Sequence, residues 1–561
     1  MTIDLGVPPG LVLIVAGILL PLVPRVLRRA LLVAAPLLAL AAVWGVADGP
    51  QLTAGYLGYT LIPVEGSALA RLFATVFCLA ALAGGLYAFA RDSRTELAAA
   101  LVYAGGALGV VFAGDLVTLF VFWELMAIAS TVIVACGGPE ARGPAMRYAI
   151  IHFVGGALLM AGAAAHIGAT GSAEFGAMEA GSVATWLILA AFLINAGAPP
   201  LSAWVADAYP SASWTGMVFL SAFTTKTAVY TLIVGFPGEE VLIWIGVYMV
   251  LWGVIYAILE TDIRRLLAYS LVSQVGYMVT ATGIGTELAL AGAAAHAFSH
   301  ILYKALLLMA AGSVLYMTGR SRMTELGGLF RTMPVTAVAA IVGALTISAL
   351  PLTSGYVTKS LITSGTGYAG LAEVWLALAA ASAGAMVYVG LKFPWFTFFD
   401  GDAGLRADDP PLSMQAAMAG LVVLCLGLGI FWQPFYALVP GAGDYVPYKA
   451  GLVLQQLQIL AAAALVFFVA RPWLAPRRTV TLDWDWFWRR GGRALAREFQ
   501  TQWLAAYGSM AEKTVAAGGQ FVRALYRRHG PDGVFGRTRP SGYLALWMTG
   551  LLCASLLLAY V

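Results

Sequence analysis

The chain has 561 residues, of which 61% are hydrophobic and 11% are charged, and its formal net charge is +4. A typical soluble domain carries about 25% charged residues, so this chain has too little charge to cover a soluble globule. The composition argues against a soluble enzyme, a disordered protein and a nucleic-acid-binding protein. The four cysteines are scattered without a CxxC pair, so we predict no disulfide framework, no metal site and no other cofactor.

Apolar runs recur along the whole chain, and a transmembrane helix needs about 20 such residues. The runs lie near residues 8–25, 30–48, 68–90, 97–113, 116–136, 147–169, 184–201, 215–236, 241–260, 266–283, 288–318, 335–366, 372–399, 413–433, 452–470 and 543–561. They predict an all-α polytopic membrane protein with about 14–16 transmembrane helices. The short alternating strands of a membrane β-barrel are not seen.

Basic residues alternate between successive loops, which predicts the orientation of the chain. The basic loops hold Arg25, Arg28, Arg29, Arg91, Arg94, Arg142, Arg147, Arg264, Arg265, Arg320, Arg322, Arg331, Arg406, Arg471, Arg477 and Arg478. The opposite loops, whose one basic residue is Lys449, span 49–67, 170–183, 237–240, 284–287, 367–371 and 434–451. The positive-inside rule then predicts an outer N-terminus and a cytoplasmic segment 471–542.

The first apolar run is read as a transmembrane span, since the N-terminus carries Asp4 and lacks the basic region of a secretory signal. The bias toward Ala, Gly and Arg suggests a bacterium with GC-rich DNA. We therefore predict a bacterial cell (inner) membrane location.

The segment 472–542 is the one sizeable polar region. Apolar residues recur over much of it at steps of three and four, at Leu495, Phe499, Trp503, Tyr507 and Met510 and again at Phe521 and Leu525. This spacing predicts an amphipathic helix on the membrane surface or on a partner. The alternative is a solvated linker helix.

Several ionisable residues lie inside apolar runs, where they commonly mark ion or proton routes. They are Glu124, Lys226, His296, His300, Lys304, Lys359 and Lys392. His296, His300 and Lys304 are spaced at i, i+4 and i+8 and so share one helix face. The alternatives are an ion pair between helices for Glu124 and a side chain that reaches the membrane surface for Lys392. We interpret the lone His152 and His166 as packing residues.

Two of the runs are interrupted by prolines, which remove a backbone donor and break helices. One reads NAGAPPLSAWVADAYP (195–210) and the other SALPLTSGYVTKSLI (348–362). Broken helices in corresponding halves point to the ion site of a transporter. Two ordinary proline kinks are the alternative.

The chain resembles the antiporter-like subunits of respiratory complex I and of Mrp-type cation/proton antiporters. The matching stretches are GDLVTLFVFWELMAIAS (114–130), WVADAYPSASWTGMVFLSAFTTKTAVY (204–230), ETDIRRLLAYSLVSQVGYM (260–278), AHAFSHILYKALLLMAAGSVLYMTG (295–319) and ALPLTSGYVTKSLI (349–362). They occur in the family's order and together cover about residues 70–400. The resemblance implies two inverted five-helix repeats, each with one broken helix.

The resemblance also implies roles for individual residues. Glu124 corresponds to the fifth-helix glutamate, Lys226 to the eighth-helix lysine and Lys359 to the twelfth-helix lysine near the proton exit. His296, His300 and Lys304 correspond to the central relay. Asp262 and Arg264 belong to a cytoplasmic-side motif with a structural role.

This sequence departs from the family pattern at the first broken helix. Asn195 stands where the family has a lysine that pairs with the glutamate, and Ser202 stands where a histidine is common. An asparagine carries no titratable charge. Either Lys226 replaces the missing partner of Glu124, or the first half no longer pumps in the usual way. Ser270 stands where many members have histidine, a variable position.

We divide the chain on these grounds into five parts. They are N-terminal transmembrane helices (1–67), an antiporter-like proton-translocating core (68–400), C-terminal transmembrane helices (401–471), a cytoplasmic amphipathic segment (472–542) and a final transmembrane helix (543–561).

The chain most resembles the D-type component of Mrp antiporters. The resemblance lies in the sequence around AYPSAS and TTKTAVY, in the segment LDWDWFWRR (482–490) and in the final span. We therefore predict a proton-translocating subunit of a Na⁺ or K⁺/proton antiporter, with other hydrophobic subunits as partners and no enzymatic activity of its own. One alternative is a membrane subunit of a redox-driven pump of complex I or hydrogenase type, within an NADH:quinone oxidoreductase-like translocase. The other is a structural or inorganic-carbon-uptake partner of the same fold.

Overall fold

The structure is a computed structural model, and it describes residues 8–477, 483–531, 533–534, 536–537 and 540–560. Asp4, Arg478 and Leu482, on which some of the predictions above rest, lie outside the described residues. The chain divides into two compact units, Met1–Asp483 and Trp484–Val561.

The first unit is built from helices and one hairpin. Its helices are α1 Pro9–Leu19, α2 Arg25–Gly45, α3 Ala68–Tyr87, α4 Arg94–Phe112, α5 Leu116–Ala135, α6 Arg142–Thr170, α7 Val183–Ala196, α8 Ala203–Ala208, α9 Gly216–Ala222, α10 Thr224–Gly235, α11 Glu240–Leu259, α12 Ile263–Ile284, α13 Glu287–Thr318, α14 Pro334–Ile347, α15 Ser354–Tyr368, α16 Ala372–Ala385, α17 Leu412–Ile430, α18 Trp432–Ala437 and α19 Ala450–Leu474. Two π-helical stretches, Met386–Lys392 and Trp395–Phe399, continue α16. The second unit contains α20 Asp485–His529 and α21 Ser541–Tyr560.

Twelve helices in the described part of the chain are long and apolar enough to cross a membrane, and three shorter apolar helices accompany them. The protein is therefore a multi-pass integral membrane protein, and the predicted polytopic helical class is confirmed. Helix α12 is not among the twelve because it is rich in hydroxyl and amide side chains. All of its residues from Leu266 to Gly283 are buried, so protein surrounds these polar groups.

The stretch 49–67, which sequence analysis treated as a loop in an all-α protein, is instead a β-hairpin. Strand β1 Gly49–Tyr56 pairs antiparallel with β2 Tyr59–Gly66. The two turn residues, Leu57 and Gly58, have φ of 50° and 85°, which is the backbone of a tight two-residue hairpin turn. A leucine is an unusual residue there, which is why the turn was missed.

Both predicted helix interruptions are present. Helix α7 ends at Ala196 and α8 begins at Ala203, while α14 ends at Ile347 and α15 begins at Ser354. A third break was not predicted, because Phe223, where α9 gives way to α10, has no proline or glycine beside it.

The second unit contains the predicted segment in the form of one 45-residue helix, α20. The apolar residues of the predicted amphipathic face, from Leu495 to Leu525, are exposed. Helix α21 is one of the twelve membrane-crossing candidates.

Candidate functional site

The centre of the first unit holds a row of ionisable side chains. His296, His300 and Lys304 lie on α13 and are all fully buried, as is Lys226 on α10. Lys359 on α15 is 4% exposed. These five groups interact electrostatically with one another, and they are five of the six residues to which the family resemblance assigns a role in proton transfer, all but Glu124. We refer to these five residues as the central row.

His296 links α13 to α15 and α12 through hydrogen bonds. Its Nδ1 lies 2.9 Å from Oγ1 of Thr358, and its Nε2 lies 3.3 Å from the hydroxyl of Tyr303. The Tyr303 hydroxyl in turn lies 3.4 Å from Oε1 of Gln274. Since hydroxyl groups both donate and accept, His296 can keep these neighbours in either tautomer.

Each lysine of the central row is held by a backbone carbonyl. Nζ of Lys359 donates to the oxygen of Ile347 at 2.8 Å, and Nζ of Lys226 donates to the oxygen of Ser221 at 2.7 Å. Nζ of Lys304 donates to the oxygen of Leu267 at 3.3 Å. Ile347 ends α14 and Ser221 lies in the last turn of α9. The helix breaks supply these two carbonyls, because the last four carbonyls of a helix lack partners within it.

The three lysines donate to uncharged backbone carbonyls, which affects how readily each amine can release a proton. No ion pair found among the described residues includes Lys226, Lys304 or Lys359. An ammonium group has three N–H donors, and a neutral amine still has two. Each lysine can therefore release a proton without losing its hydrogen bond, which a salt bridge with a carboxylate would oppose.

His300 lies at the middle of the row and connects its members. Neither ring nitrogen of His300 has a hydrogen-bond partner among the described residues. The imidazole interacts electrostatically with Lys226, Lys304, Lys359 and His296. A proton on any one of these groups therefore changes the proton affinity of the others.

Lys359 also adjoins a cavity. Its Nζ lies 4.8 Å from the centre of the Tyr277 ring, and a cavity of about 40 Å³ is lined by Lys359, Ser360, Ser382, Gln455 and Gln456. A water molecule needs roughly 10–15 Å³ of such space, so the cavity has room for a few waters. The cavity therefore places room for water next to the last lysine of the row, beside α19.

Glu124 and Asn195 pack against neighbouring glycines of α6. A Cβ atom added to Gly156 would overlap Oε1 of Glu124, and one added to Gly155 would lie 3.7 Å from Oδ1 of Asn195. Both oxygens are buried without a hydrogen-bond partner among the described residues. Within that part of the chain no ion pair joins Glu124 to Lys226, whose Nζ contacts Ser221 and Thr225.

Asp262 and Arg264 organise the N-terminus of α12. Oδ1 of Asp262 accepts from the backbone N–H groups of Arg264 and Arg265 at 2.9 and 3.0 Å, as an N-cap does. The Arg264 guanidinium donates to the carbonyls of Pro210 and Ala212 at 2.8 Å each. These bonds tie α12 to the chain that follows the first broken helix, which agrees with a structural role.

Lys392 is buried against the end of α11. The side chain is 2% exposed, and its Nζ donates to the oxygens of Ile258 and Glu260. These carbonyls lie at the end of α11 and would otherwise lack partners. The π-helical turns around Lys392 place the amine against them.

Sequence reasoning missed the polar residues that surround the row. Ser270, which was treated as a variable position, accepts a hydrogen bond from Nζ of Lys304. Thr358, Tyr303 and Gln274 complete the contacts of His296. The available signal was the density of hydroxyl and amide residues in α12, which is unusual for a membrane helix.

Comparison with known proteins shows which family the chain belongs to. Residues 113–385 match the family described as NADH:quinone oxidoreductase/Mrp antiporter, TM. The NADH-quinone oxidoreductase subunit N of Desulforudis audaxviator is 32% identical over 389 residues, which make up 63% of this chain and 77% of that protein. The chain belongs to this family.

Two further proteins are similar to this chain, one in sequence and one in structure. One Na(+)/H(+) antiporter subunit, from Alkalihalophilus pseudofirmus, is 32% identical over 275 residues, or 45% of this chain and 56% of that protein. A chain in the structure of the Mrp complex from Dietzia sp. DQ12-45-1b matches with a TM-score of 0.71 at 23% identity, over 82% of this chain and 100% of that one. At this identity the match shows a shared fold.

Proposed function

We propose that the chain is a proton-translocating subunit of a multi-subunit monovalent cation/proton antiporter, exchanging Na⁺ or K⁺ for protons. The observation that carries the proposal is the central row, because five buried titratable groups without carboxylate partners have no evident structural purpose. The similarity to an Na(+)/H(+) antiporter subunit and to a chain of an Mrp complex supports it. Other hydrophobic membrane subunits are the proposed partners.

In this proposal a proton passes between neighbouring groups of the row. Lys226, His300, Lys304 and His296 accept it in turn, and Lys359 releases it to the water-accessible cavity. The hydrogen bonds from the amines to carbonyl oxygens hold each nitrogen in place while its charge changes. The location is a bacterial cell membrane with the N-terminus outside, and the chain itself performs transport without an enzymatic reaction.

The decisive variant is Lys359→Ala in the assembled complex. Cation-driven pH collapse in inverted membrane vesicles should fall to the level of vesicles that lack the complex. Lys449→Ala is the matched control, since Lys449 is an exposed lysine in the loop 434–451, outside the central row. Full activity of Lys359→Ala, with normal assembly, would contradict the proposed route.

A second candidate is a membrane subunit of a redox-driven proton pump, within an NADH:quinone oxidoreductase-like translocase. The similarity to an NADH-quinone oxidoreductase subunit N favours it. Purification of the tagged chain from its native membrane in mild detergent, with mass spectrometry of every partner, separates the two. Small hydrophobic partners support the antiporter, whereas stoichiometric iron–sulfur or flavin subunits support the redox pump.

A third candidate, a structural or inorganic-carbon-uptake partner of the same fold, is favoured by Asn195. Without a lysine at this position, Glu124 lacks the partner that the family resemblance implies. This candidate predicts that neutralising Glu124 leaves assembly and ion flux intact.

A further inference from the structure

The first half of the molecule contains a second buried titratable group beside Glu124. His152 lies on α6, four residues before Gly156 and three before Gly155, the two glycines against which Glu124 and Asn195 pack. Residues at these spacings share a helix face. His152 is 1% exposed, and one helical turn, about 5.4 Å, separates it from the level of Gly156.

The imidazole of His152 is fixed in one orientation by aromatic residues. Its ring stacks on Tyr148, with ring centres 3.9 Å apart, and meets the edge of Trp204 at 4.6 Å. Nδ1 lies 3.0 Å from the backbone oxygen of Tyr148. Because a carbonyl oxygen can only accept, Nδ1 carries the hydrogen and Nε2 carries the lone pair.

Nε2 is therefore the basic atom, and it is unoccupied. It is buried and has no hydrogen-bond partner within the described part of the chain, and the same holds for Oε1 of Glu124 and Oδ1 of Asn195. Buried polar atoms are nearly always paired, by protein or by water. A water molecule between the Glu124 carboxyl group and Nε2 of His152 would satisfy both of these atoms.

The Tyr148 ring that stacks on His152 belongs to a cluster of hydroxyl groups. The Tyr148 hydroxyl donates to Oγ of Ser130 at 3.0 Å and also interacts with Thr224. Thr224 begins α10, two residues before Lys226, and its Oγ1 lies 2.5 Å from the Tyr103 hydroxyl. The hydroxyls of Tyr148 and Thr224 thus link α6 to the start of α10, the helix that carries Lys226.

From these contacts we propose that His152 is the proton acceptor of the first half and takes the role that a lysine at position 195 would have. The inference rests on the proposed function. In the step, a protonated Glu124 gives its proton through water to Nε2, leaving a carboxylate and an imidazolium, and the reverse transfer restores the neutral pair. The charged and titratable groups that face this region are Glu124 from α5, the Arg147–Asp207 pair at 2.7 Å, and Tyr209.

The test uses the full chain in its native complex and measures proton flux in inverted vesicles. His152→Asn keeps a donor near the position of Nδ1 and removes the basic Nε2, so flux should fall at least about 10-fold with assembly intact. His166→Asn, on the same helix and partly exposed, should keep wild-type flux. Adding Asn195→Lys to His152→Asn should restore most of the flux, because the new amine would stand where the family resemblance places the lysine partner of Glu124.

Two results would overturn the inference: wild-type flux in His152→Asn, or loss of flux that Asn195→Lys does not restore. If His152→Asn and His152→Gln both fail to assemble, His152 is a structural residue and the inference is likewise overturned. Lys359→Ala, measured in parallel, separates this inference from the proposed function. Loss of flux there with no effect at His152 leaves the proposed function standing, whereas full flux in Lys359→Ala removes both.

Discussion

The two broken helices use the same backbone feature with different side chains. In the second half, the carbonyl of Ile347 at the break accepts a hydrogen bond from Nζ of Lys359 at 2.8 Å. In the first half, the carbonyl of Ile194 accepts from the indole Nε1 of Trp204 at 3.0 Å. An indole N–H donates but does not titrate. One break therefore holds a group that can carry a proton, and the other holds a group that cannot.

The comparison shows that a backbone carbonyl at a helix break can hold the Lys359 amine in position. A carboxylate partner is not needed to hold it there. The second half combines titratable amines with neutral acceptors. In the first half, Glu124 packs against Gly156 of α6, and His152 lies four residues before Gly156 on the same helix. Four sets of variants, taken from the largest expected effect to the smallest, test whether the two halves differ in this way.

The largest effect is expected for Gly156→Ala. The added Cβ would overlap the Glu124 carboxylate, so we expect a loss of stability of about 1–3 kcal/mol and a fall in proton flux of at least about 10-fold. Gly168→Ala on the same helix is the control, since its Cβ would meet nothing within 4 Å. Thermal unfolding in detergent and vesicle flux measure both effects. Equal behaviour of the two variants would mean that the first half has no closely packed proton site.

Glu124→Gln keeps the shape of the side chain and removes its charge and its titration. We expect flux to fall about 10-fold, an activation difference of about 1.4 kcal/mol, with unchanged assembly. Glu240→Gln, at an exposed position that begins α11, should behave like wild type. Unchanged flux in Glu124→Gln would favour the structural alternative and leave transport to the second half.

Thr358→Val removes the hydroxyl that contacts Nδ1 of His296 and keeps the shape of the side chain. Buried hydrogen bonds between membrane helices contribute about 0.6 kcal/mol on average, so we expect a small loss of stability and about a threefold lower flux. In the control, Thr366→Val, the hydroxyl that is removed donates to Ile362 within the same helix at 2.8 Å. If the two variants cannot be told apart by flux, His296 does not depend on this contact.

The smallest effect is expected for Gln456→Leu at the cavity beside Lys359. Removing a polar lining group weakens the binding of water there, and we expect flux about twofold lower with normal assembly. Gln458→Leu, on the same helix and exposed, is the control. An unchanged flux in Gln456→Leu would indicate that Lys359 exchanges protons by another path.

Sequence patterns were enough to predict the helical membrane class, the two proline-associated breaks and the residues of the central row. These features follow from hydropathy, from proline chemistry and from the rarity of charge inside apolar runs. The hairpin at 49–66 and the break at Phe223 were not predictable, because their turns use residues without a strong local preference. The contact of Ser270 with Lys304 depends on how α12 and α13 pack, which no local pattern encodes.

The same limit explains His152 and Lys392. One histidine in an apolar helix is usually a packing residue. The proposed role of His152 depends on the packing of Glu124 against Gly156 of the same helix, which the sequence alone does not reveal. Lys392 lies near the end of an apolar run, where lysines commonly reach the membrane surface. The end of α11 lies against it instead, and its free carbonyls keep the amine buried.

The central claim is that the buried lysines act by releasing and regaining a proton. Lys304→Arg tests it most directly, because arginine keeps the positive charge and stays protonated in proteins. In purified, assembled complexes reconstituted in vesicles, we predict that Lys304→Arg gives proton flux at the level of protein-free vesicles. Flux equal to wild type in this variant would show that a fixed charge is sufficient, and it would contradict the account.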